Sequence, residues 1–285
     1  MVVIALLSHT TAIADKPRLV VNIIVGSLSN SDLDRYSANF SDGGFKLLME
    51  GGVRYHNANL DYANTSTAAG LATIATGTEP ATHGVVGTHW WNYVDGSYVE
   101  LIFDGNAQAV APSTGTGKYS PHRLNAPTIG DMLIMQDNQS KSCTIAIDPL
   151  SAILLTGKHG VGYWAESKQT HWTTSSAFAT KLPFWIDYYN THDMNNIYRM
   201  RRWTPVGVIA NYINHEVAVV EGIKGKATKL VSGIDLTLDD TAYGKMCYTP
   251  AGNTMLLKFA SQVVLQGELG SDENTDILNI CLDTA

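Results

Sequence analysis

Between Asn64 and Gly87 the chain reads NTSTAAGLATIATGTEPATHGVVG: a Thr/Ser cluster, small residues, a glycine, an apolar run, then the pattern TG-x-x-P-x-x-HG. Hydroxyls placed just before a helical run lie at a helix N-terminus, where free backbone amides point outward and attract anions. The chemistry open to such a segment is attack by a hydroxyl on an electrophile held by those amides. A free hydroxyl is a poor nucleophile at neutral pH and needs a base or a metal to take its proton. The helix end itself contributes only about 1 kcal/mol. A bound metal ion contributes more.

Other catalytic patterns are excluded by reading. The chain has no G-x-S-x-G elbow, no GxxxxGK[ST] loop, no HExxH, no GxGxxG after a strand and no paired CxxC. Cys143, Cys247 and Cys281 are too scattered for a disulfide scaffold or a zinc ribbon, and are expected to be small buried hydrophobes. With 19 Lys and Arg against 26 Asp and Glu, the chain lacks the basic surface that nucleic acid requires. The one dense cluster, RMRRW at 199–203, reads as a solvated face.

The elements that must position the hydroxyls follow from hydrophobic pattern. RLVVNIIV at 18–25 is a β-branched run ending at Gly26, the mark of a buried parallel strand. A helix is expected from Ser31 toward Glu50, a second strand over Val53–Ala58, and a helix over Ala68–Ala75. Tyr93 to Tyr119, rich in Gly, Ser, Thr and Asn, reads as loop or hairpin. Thr128–Gln136 is expected to be helical, Ser142–Ile147 and Gly162–Trp164 to be strands, and Ala177–Asn190 an amphipathic helix. The rhythm is lost over 199–248, which reads as an excursion or cap. A helix over Ala251–Leu265 and a last buried strand, DILNICL at 276–282, complete the pattern. Strands alternating with helices imply an α/β fold with a mostly parallel sheet covered on both faces.

The N-terminus, MVVIALLSHTTAIADKPRL, has a short apolar run followed by Ala12-Ile13-Ala14 and lacks a basic start. Residues 1–14 are expected to be a secretory signal cleaved before Asp15, which makes the protein periplasmic or secreted. No later stretch reaches the run of about 18 apolar residues that a membrane span requires.

Three stretches, KPRLVVNIIV at 16–25, the run from Gly43 to Gly87, and YTPAGNTMLLKFA at 248–260, together resemble the alkaline phosphatase superfamily. The nearest likeness is to its bacterial phosphate-monoesterase branch, similar in architecture to type I phosphodiesterases and nucleotide pyrophosphatases. That resemblance implies a Thr or Ser nucleophile at a helix N-terminus, activated by two zinc ions. Matched residue by residue, the nucleophile position falls on Thr67.

Within the same resemblance the metal and phosphate positions depart. Gly26 stands where the family carries its first metal-binding Asp. Further ligands, a D-x-x-x-H pair, an Asp-His dipeptide and a late His, follow the strand matched here by DILNICL, so the C-terminal half of the fold is read as missing. None of the nine histidines has an Asp four residues earlier or directly before it. Thr88 occupies the position of a phosphate-binding Asn. The Lys-x-Arg pair that grips phosphoryl oxygens falls on Asp148-Pro149-Leu150. A carboxylate at about 4 Å from a phosphoryl oxygen, at an effective dielectric near 20, adds roughly 4 kcal/mol of repulsion per unit charge.

From residue chemistry alone, Thr67 is expected to be a helix N-cap, His83 a structural turn histidine, and His89-Trp90-Trp91 core or subdomain packing. Asp32 and Asp34 read as first-turn acids and Asp148 as a cap before Pro149. No metal site and no cofactor are therefore expected, and the chain reads as a metal-free pseudoenzyme with a binding or partner role. The alternative is a zinc-dependent phosphomonoesterase or phosphodiesterase with Thr67 as nucleophile and two zinc ions held by ligands from the missing part. The strand at 276–282 is expected to leave a free edge or apolar face, a place for self-association or a second polypeptide, unless the N-terminal segment or the excursion covers it.

Overall fold

The computed structural model describes residues 16–110, 117–166, 171–192, 247 and 249–282, together with two short paired segments at 202–203 and 234–235. The expected signal at 1–14 and nearly all of the excursion at 199–248 lie outside the described residues. The strands are β1 (Leu19–Val25), β2 (His89–Asn92), β3 (Ser97–Glu100), β4 (Ser142–Ala146), β5 (Val161–Ala165), β6 (Trp172–Thr173), β7 (Arg202–Trp203), β8 (Ile234–Asp235) and β9 (Asp276–Leu282). The helices are α1 (Asn30–Tyr36), α2 (Phe45–Gly51), α3 (Thr67–Thr76), α4 (Pro80–His83), α5 (Ile129–Gln136), α6 (Pro149–Thr156), α7 (Phe184–Thr191) and α8 (Pro250–Gln266). Five strands form the central sheet in the order β1-β9-β4-β5-β6, all parallel except β6. The fold is α/β, as the alternation of patterns implies.

Side-chain alternation divides the core into two clusters, one on each face of the sheet. Cys143, Ile145, Tyr163, Leu278 and Ile280 face a layer made by α8 and α7, through Met255, Leu256, Phe259, Val263 and Ile186. Ala146 and Trp164 face the other way, onto α3 and α6 through Ala68, Leu71, Ala72 and Ile153. Asn22 and Asn279, opposite each other in β1 and β9, lie on this second face; Asn22 donates to Asn279, which donates in turn to Thr144 Oγ1 and the Leu155 carbonyl. Paired amides of this kind fix strand register, because a one-residue slip leaves them unsatisfied.

Several elements differ from their expected form. The helix expected over 31–50 is split: α1 ends in a 3-10 turn at Ser37–Asn39, and α2 starts after Gly44, whose φ of 58° is a left-handed backbone glycine adopts without strain. The strand expected over Val53–Ala58 does not form, and Val53 and Tyr55 lie exposed. The helix expected from Ala177 begins only at Phe184. Pro183 precedes it in extended conformation, and proline disfavours the helical region for the residue before it. A helix the pattern did not give, α6, follows β4, with Asp148 as its N-cap and Pro149 in its first turn. The strand at 276–282 forms over its full expected length, but as the second strand of the sheet, paired on both sides. Among the described residues the end strands of the sheet are β1 and β6, not β9. Cys143 and Cys247 are buried and Cys281 is half-buried, and none of the three is in a disulfide.

Candidate active site

Parallel α/β sheets bind ligands at the carboxyl ends of their strands. Here that end is marked by Leu282, which lies opposite Val25, while Ala146 lies opposite Cys281. Gly26, whose amide donates to the Leu282 carbonyl at 3.0 Å, and Asp148, two residues past β4, therefore stand at the same end of the sheet. The N-terminus of α3 joins them. Ala68 is fully buried in one cluster with Ile24, Cys281 and Leu150, which brings the adjacent Thr67 to this end as well.

The hydroxyl cluster resolves differently from expectation. The N-cap of α3 is Ser66, whose Oγ accepts from the Ala69 amide at 3.4 Å; Thr67 is the first residue inside the helix. Its side chain is exposed and takes no part in the cap. Asn64, which sequence reading did not single out, ties the loop together: its Oδ1 accepts from the Ser66 amide at 3.2 Å, and its Nδ2 donates to the Val86 carbonyl at 2.6 Å. It thereby links the Thr67 segment to the Thr88 segment. The Asn-x-Ser pattern at an N-cap was the available signal, as an Asx turn. Thr88 is half-buried, with its Oγ1 3.0 Å from His89 Nδ1.

The positions matched to a phosphate clamp have other occupations. Asp148 Oδ1 accepts from the Ser151 amide at 2.9 Å and caps α6. Leu150 packs into the apolar cluster beneath it. A carboxylate and an aliphatic side chain provide no donor for phosphoryl oxygens. Gly26 is not demanded by packing, since a Cβ built there meets nothing closer than the Leu282 carbonyl oxygen at 3.7 Å. The left-handed residue is its neighbour Ser27, with φ of 57°.

The nearby acids are engaged as well. Asp32 forms a reciprocal capping box with Ser29, and hydrogen bonds from Ser29 hold its carboxyl below the usual range. Asp34 pairs with Arg54 at 2.7 Å, and that bond lowers it likewise. Among the described residues no three His, Cys, Asp or Glu side chains come together as a metal would require. Gly26 brings no side-chain ligand to the position where the resemblance places a metal-binding Asp.

Two further polar clusters serve the scaffold. Ser120 Oγ lies 2.6 Å from Asp104 Oδ2 and 3.0 Å from His122 Nδ1, so the serine sits between acid and histidine. A nucleophilic triad needs the histidine in the middle. Ser120 is also buried, and the group pins the loop that follows β3. Cys143 is inert, because burial pushes its thiol up to about 12.

The fully buried His83 accepts from the Val85 amide at Nδ1 (3.1 Å), which places the ring proton on Nε2, 3.1 Å from Thr73 Oγ1; Thr73 in turn contacts the Tyr62 hydroxyl at 2.9 Å. It is the structural turn histidine that the sequence indicated. His89, by contrast, is exposed and stacks on Tyr98, with ring centroids 5.5 Å apart.

Burial lowers the pKa of His83 below 6.5, and burial is also the leading cause for His122 and His171. The unfolded chain then binds more protons than the native one in the window below 6.5. Stability from these groups is complete above that value and is lost as pH falls through the lowered native values. Urea midpoints are expected to drop as the pH falls below about 6.5. His83→Gln, which cannot protonate, is expected to start lower and fall less steeply.

With the geometry in place, comparison with known proteins decides the family. The family described as type I phosphodiesterase / nucleotide pyrophosphatase matches residues 20–185. The chain belongs to that family. Its fold and its relatives place it in the alkaline phosphatase superfamily. The crystal structure of wild-type alkaline phosphatase PafA superposes with a TM-score of 0.86 at 27% identity, covering 94% of this chain and 53% of that one. By sequence, alkaline phosphatase PafA of Elizabethkingia meningoseptica is 29% identical over 96% of this chain, and alkaline phosphatase PhoV of Synechococcus elongatus 29% over 94%. A protein of Myroides odoratus named calcium-transporting ATPase is 31% identical over 95%. The chain spans about half the length of these relatives, 50–52%. The family match thus runs from β1 to the first residues of α7.

Proposed function

We propose that this chain is a family member that does not hydrolyse phosphate esters and acts through binding. The observation carrying this reading is Asp148, a carboxylate committed to capping α6 at the position matched to a phosphate-gripping lysine. Leu150 beside it and Gly26 at the end of β1 support the same conclusion, since neither can replace the lost donors or ligand. Proteins that retain such a scaffold keep an anion-attracting helix end without the means to stabilise a transferring phosphoryl group.

The alternative is a zinc-dependent phosphoester hydrolase that completes its site with ligands from further polypeptide. It draws on one feature, the exposed Thr67 side chain in the first turn of α3. Turnover of aryl phosphate mono- and diesters separates the two. Hydrolysis at background, unchanged by zinc and unchanged in Thr67→Ala, is the expected result. Zinc-dependent turnover that vanishes in Thr67→Ala overturns it. The same variants report on local structure: Thr67→Ala is expected to stay within about 0.5 kcal/mol of the parent, whereas Ser66→Ala loses about 1 kcal/mol with the cap. Gly26→Asp is expected to fold normally and remain inactive, because one carboxylate is a single ligand.

For location, we propose export directed by residues 1–14; a mature N-terminus at Asp15 is the expected finding on sequencing protein from the periplasm or medium. No helix among the described residues is long and apolar enough to cross a membrane.

A further inference from the structure

The His83 ring is fully buried, and its two nitrogens hold two different loops. Nδ1 accepts from the Val85 amide at 3.1 Å and so fixes the segment that runs on to Thr88. Nε2 reaches Tyr62 through Thr73 Oγ1, in steps of 3.1 and 2.9 Å, and Tyr62 lies two residues before Asn64. Asn64 closes the circle, because its Nδ2 donates to the Val86 carbonyl while its Oδ1 accepts from the Ser66 amide. One imidazole and one side-chain amide thus join the start of α3, where Thr67 stands, to the loop of Thr88.

The backbone that carries the ring is held on both sides: the His83 amide donates to the Glu79 carbonyl at 3.0 Å, and the His83 carbonyl accepts from the Asn125 amide at 3.0 Å. A second proton on the ring would turn Nδ1 into a donor facing the Val85 donor. Two N–H groups at that distance cannot share a bond, and the buried charge gains no acceptor there. Val85 is the side that can give way. Gly84 before it has φ of 78°, and Gly87 ends the segment, so Val85 and Val86 form a short flap between glycines. Beyond the flap the Thr88 carbonyl is anchored by the Leu101 amide at 2.9 Å. Around the ring, Thr73 and Tyr62 face it from α3 and the preceding loop. The charged residues of the surrounding elements are Asp61 and Glu79, both exposed, and Arg123, whose guanidinium binds the carbonyls of Glu100, Leu101 and Phe103. Burial, rather than any of these charges, disfavours the protonated ring.

We propose that His83 is a pH-sensitive latch that joins the Thr67 and Thr88 loops of the candidate site. The neutral ring holds Val85 in the core and keeps the two loops tied. The protonated ring releases Val85, and Val86 with it, which takes the Val86 carbonyl away from Asn64 and parts the loops while the sheet and its helices stay folded. Release sets in as pH falls below about 6.5, where an imidazole freed from the core takes up its proton. The latch goes beyond the binding reading and is independent of whether the chain hydrolyses phosphate esters.

Amide hydrogen exchange read by NMR on the 285-residue chain tests this, with rates corrected for their intrinsic pH dependence. The protection of the Val85 amide is expected to fall by up to about tenfold per pH unit below about 6.5, until the ring's lowered native value is reached, and the Ser66 amide is expected to follow it. Both should exchange faster than the amides of β4 and β9, through an opening that low urea does not accelerate, since little surface is exposed. His83→Asn places an oxygen where Nδ1 stood and cannot take up a proton, so its Val85 protection should stay constant over the same range. Constant Val85 protection in the parent overturns the proposal, as does a Ser66 amide that does not respond. Exchange at Val85 as slow and as urea-dependent as in β4 and β9 overturns it too, because the opening is then global, and so does a fall in His83→Asn as steep as the parent's. Ring-nitrogen shifts of the parent supply a measurement that needs no variant. The expected ring carries its proton on Nε2 at pH 7.5 and gains the second over the range in which Val85 loses protection. A proton on Nδ1 at pH 7.5, or a doubly protonated ring with Val85 still protected, overturns the latch.

Discussion

Phe259→Ala is expected to lower the unfolding free energy by about 3–5 kcal/mol, against a total of about 5–15 for a domain. The ring is fully buried and stacks on Trp172 with centroids 4.2 Å apart and planes 3° from parallel. Tyr163 meets it edge-on at 6.0 Å, and Trp185 and Tyr189 approach at 5.8 and 5.4 Å. One side chain of α8 thus joins β5, β6 and α7. The cavity left by alanine cannot close easily, because Trp172 is fixed from behind: its amide donates to Asn190 Oδ1 and its carbonyl accepts from Asn190 Nδ2. Uncollapsed cavities give the upper end of the range. Urea titration checks this, with a lower midpoint at unchanged slope as the expected signature. Phe259→Leu, which refills part of the volume, should lose less than half as much. A loss under about 1 kcal/mol for alanine would mean that the aromatic group is not a shared core.

What was legible in the sequence is what periodicity and punctuation encode. The run DILNICL gave β9 residue for residue, and Thr249-Pro250 with a 3.6-residue apolar stripe gave α8. Helix α6 was illegible for the opposite reason. Every residue from Ser151 to Thr156 is buried, so PLSAILLT has no polar face and no period to read. VRYHNA at 53–58 alternates like a strand, yet alternation creates no partner, and none pairs with it among the described residues. Thr65, Ser66 and Thr67 offer three successive hydroxyls, and only the backbone decides that Ser66 is the cap. Strand order is a tertiary fact, so a hydrophobic strand next to β1 in space and far from it in sequence could be recognised as buried but not placed.

The candidate site was legible in part and by another route. Thr67, Thr88, Gly26 and Asp148 were identified by resemblance, and the fold gathers Gly26, Thr67 and Asp148 at one end of the sheet through pairing and packing that no local pattern states. The resemblance could not say what the substituted residues do instead. Leu150 as a core residue and Asn64 as the tie between two loops are visible only from their partners, whereas Asp148 as a cap was readable from the Pro149 that follows it. These residues are therefore integrated into the scaffold. Placing Lys at 148 and Arg at 150 would remove a helix cap and an apolar contact together.

Asp131→Ala is expected to be as damaging as the loss of Phe259, about 3–5 kcal/mol, through unsatisfied polar groups rather than a cavity. Asp131 is 1% exposed. Its Oδ2 accepts from the Thr128 amide at 3.0 Å, closing the capping box of α5, and its Oδ1 accepts from the amides of Lys158 and His159 at 2.8 and 2.7 Å. Those two amides belong to the turn that ends α6, so one carboxylate joins the start of α5 to the end of the helix whose start is capped by Asp148. Alanine leaves three amides without their acceptor, each costing about 1–3 kcal/mol and not fully additive. Asparagine keeps one oxygen but turns an NH2 toward a donor, and is expected to fall between parent and alanine. The site admits no larger change from the other side, since a Cβ on Gly157 would lie 2.2 Å from Asp131 Oδ2, and Gly157 has φ of 77°. Gly157→Ala is thus expected to reach a similar loss by clash and backbone strain. Because both variants act on the same contact, the double variant should lose clearly less than the sum of the two. Strict additivity in a denaturation cycle would show that the carboxylate and the turn are not one structure.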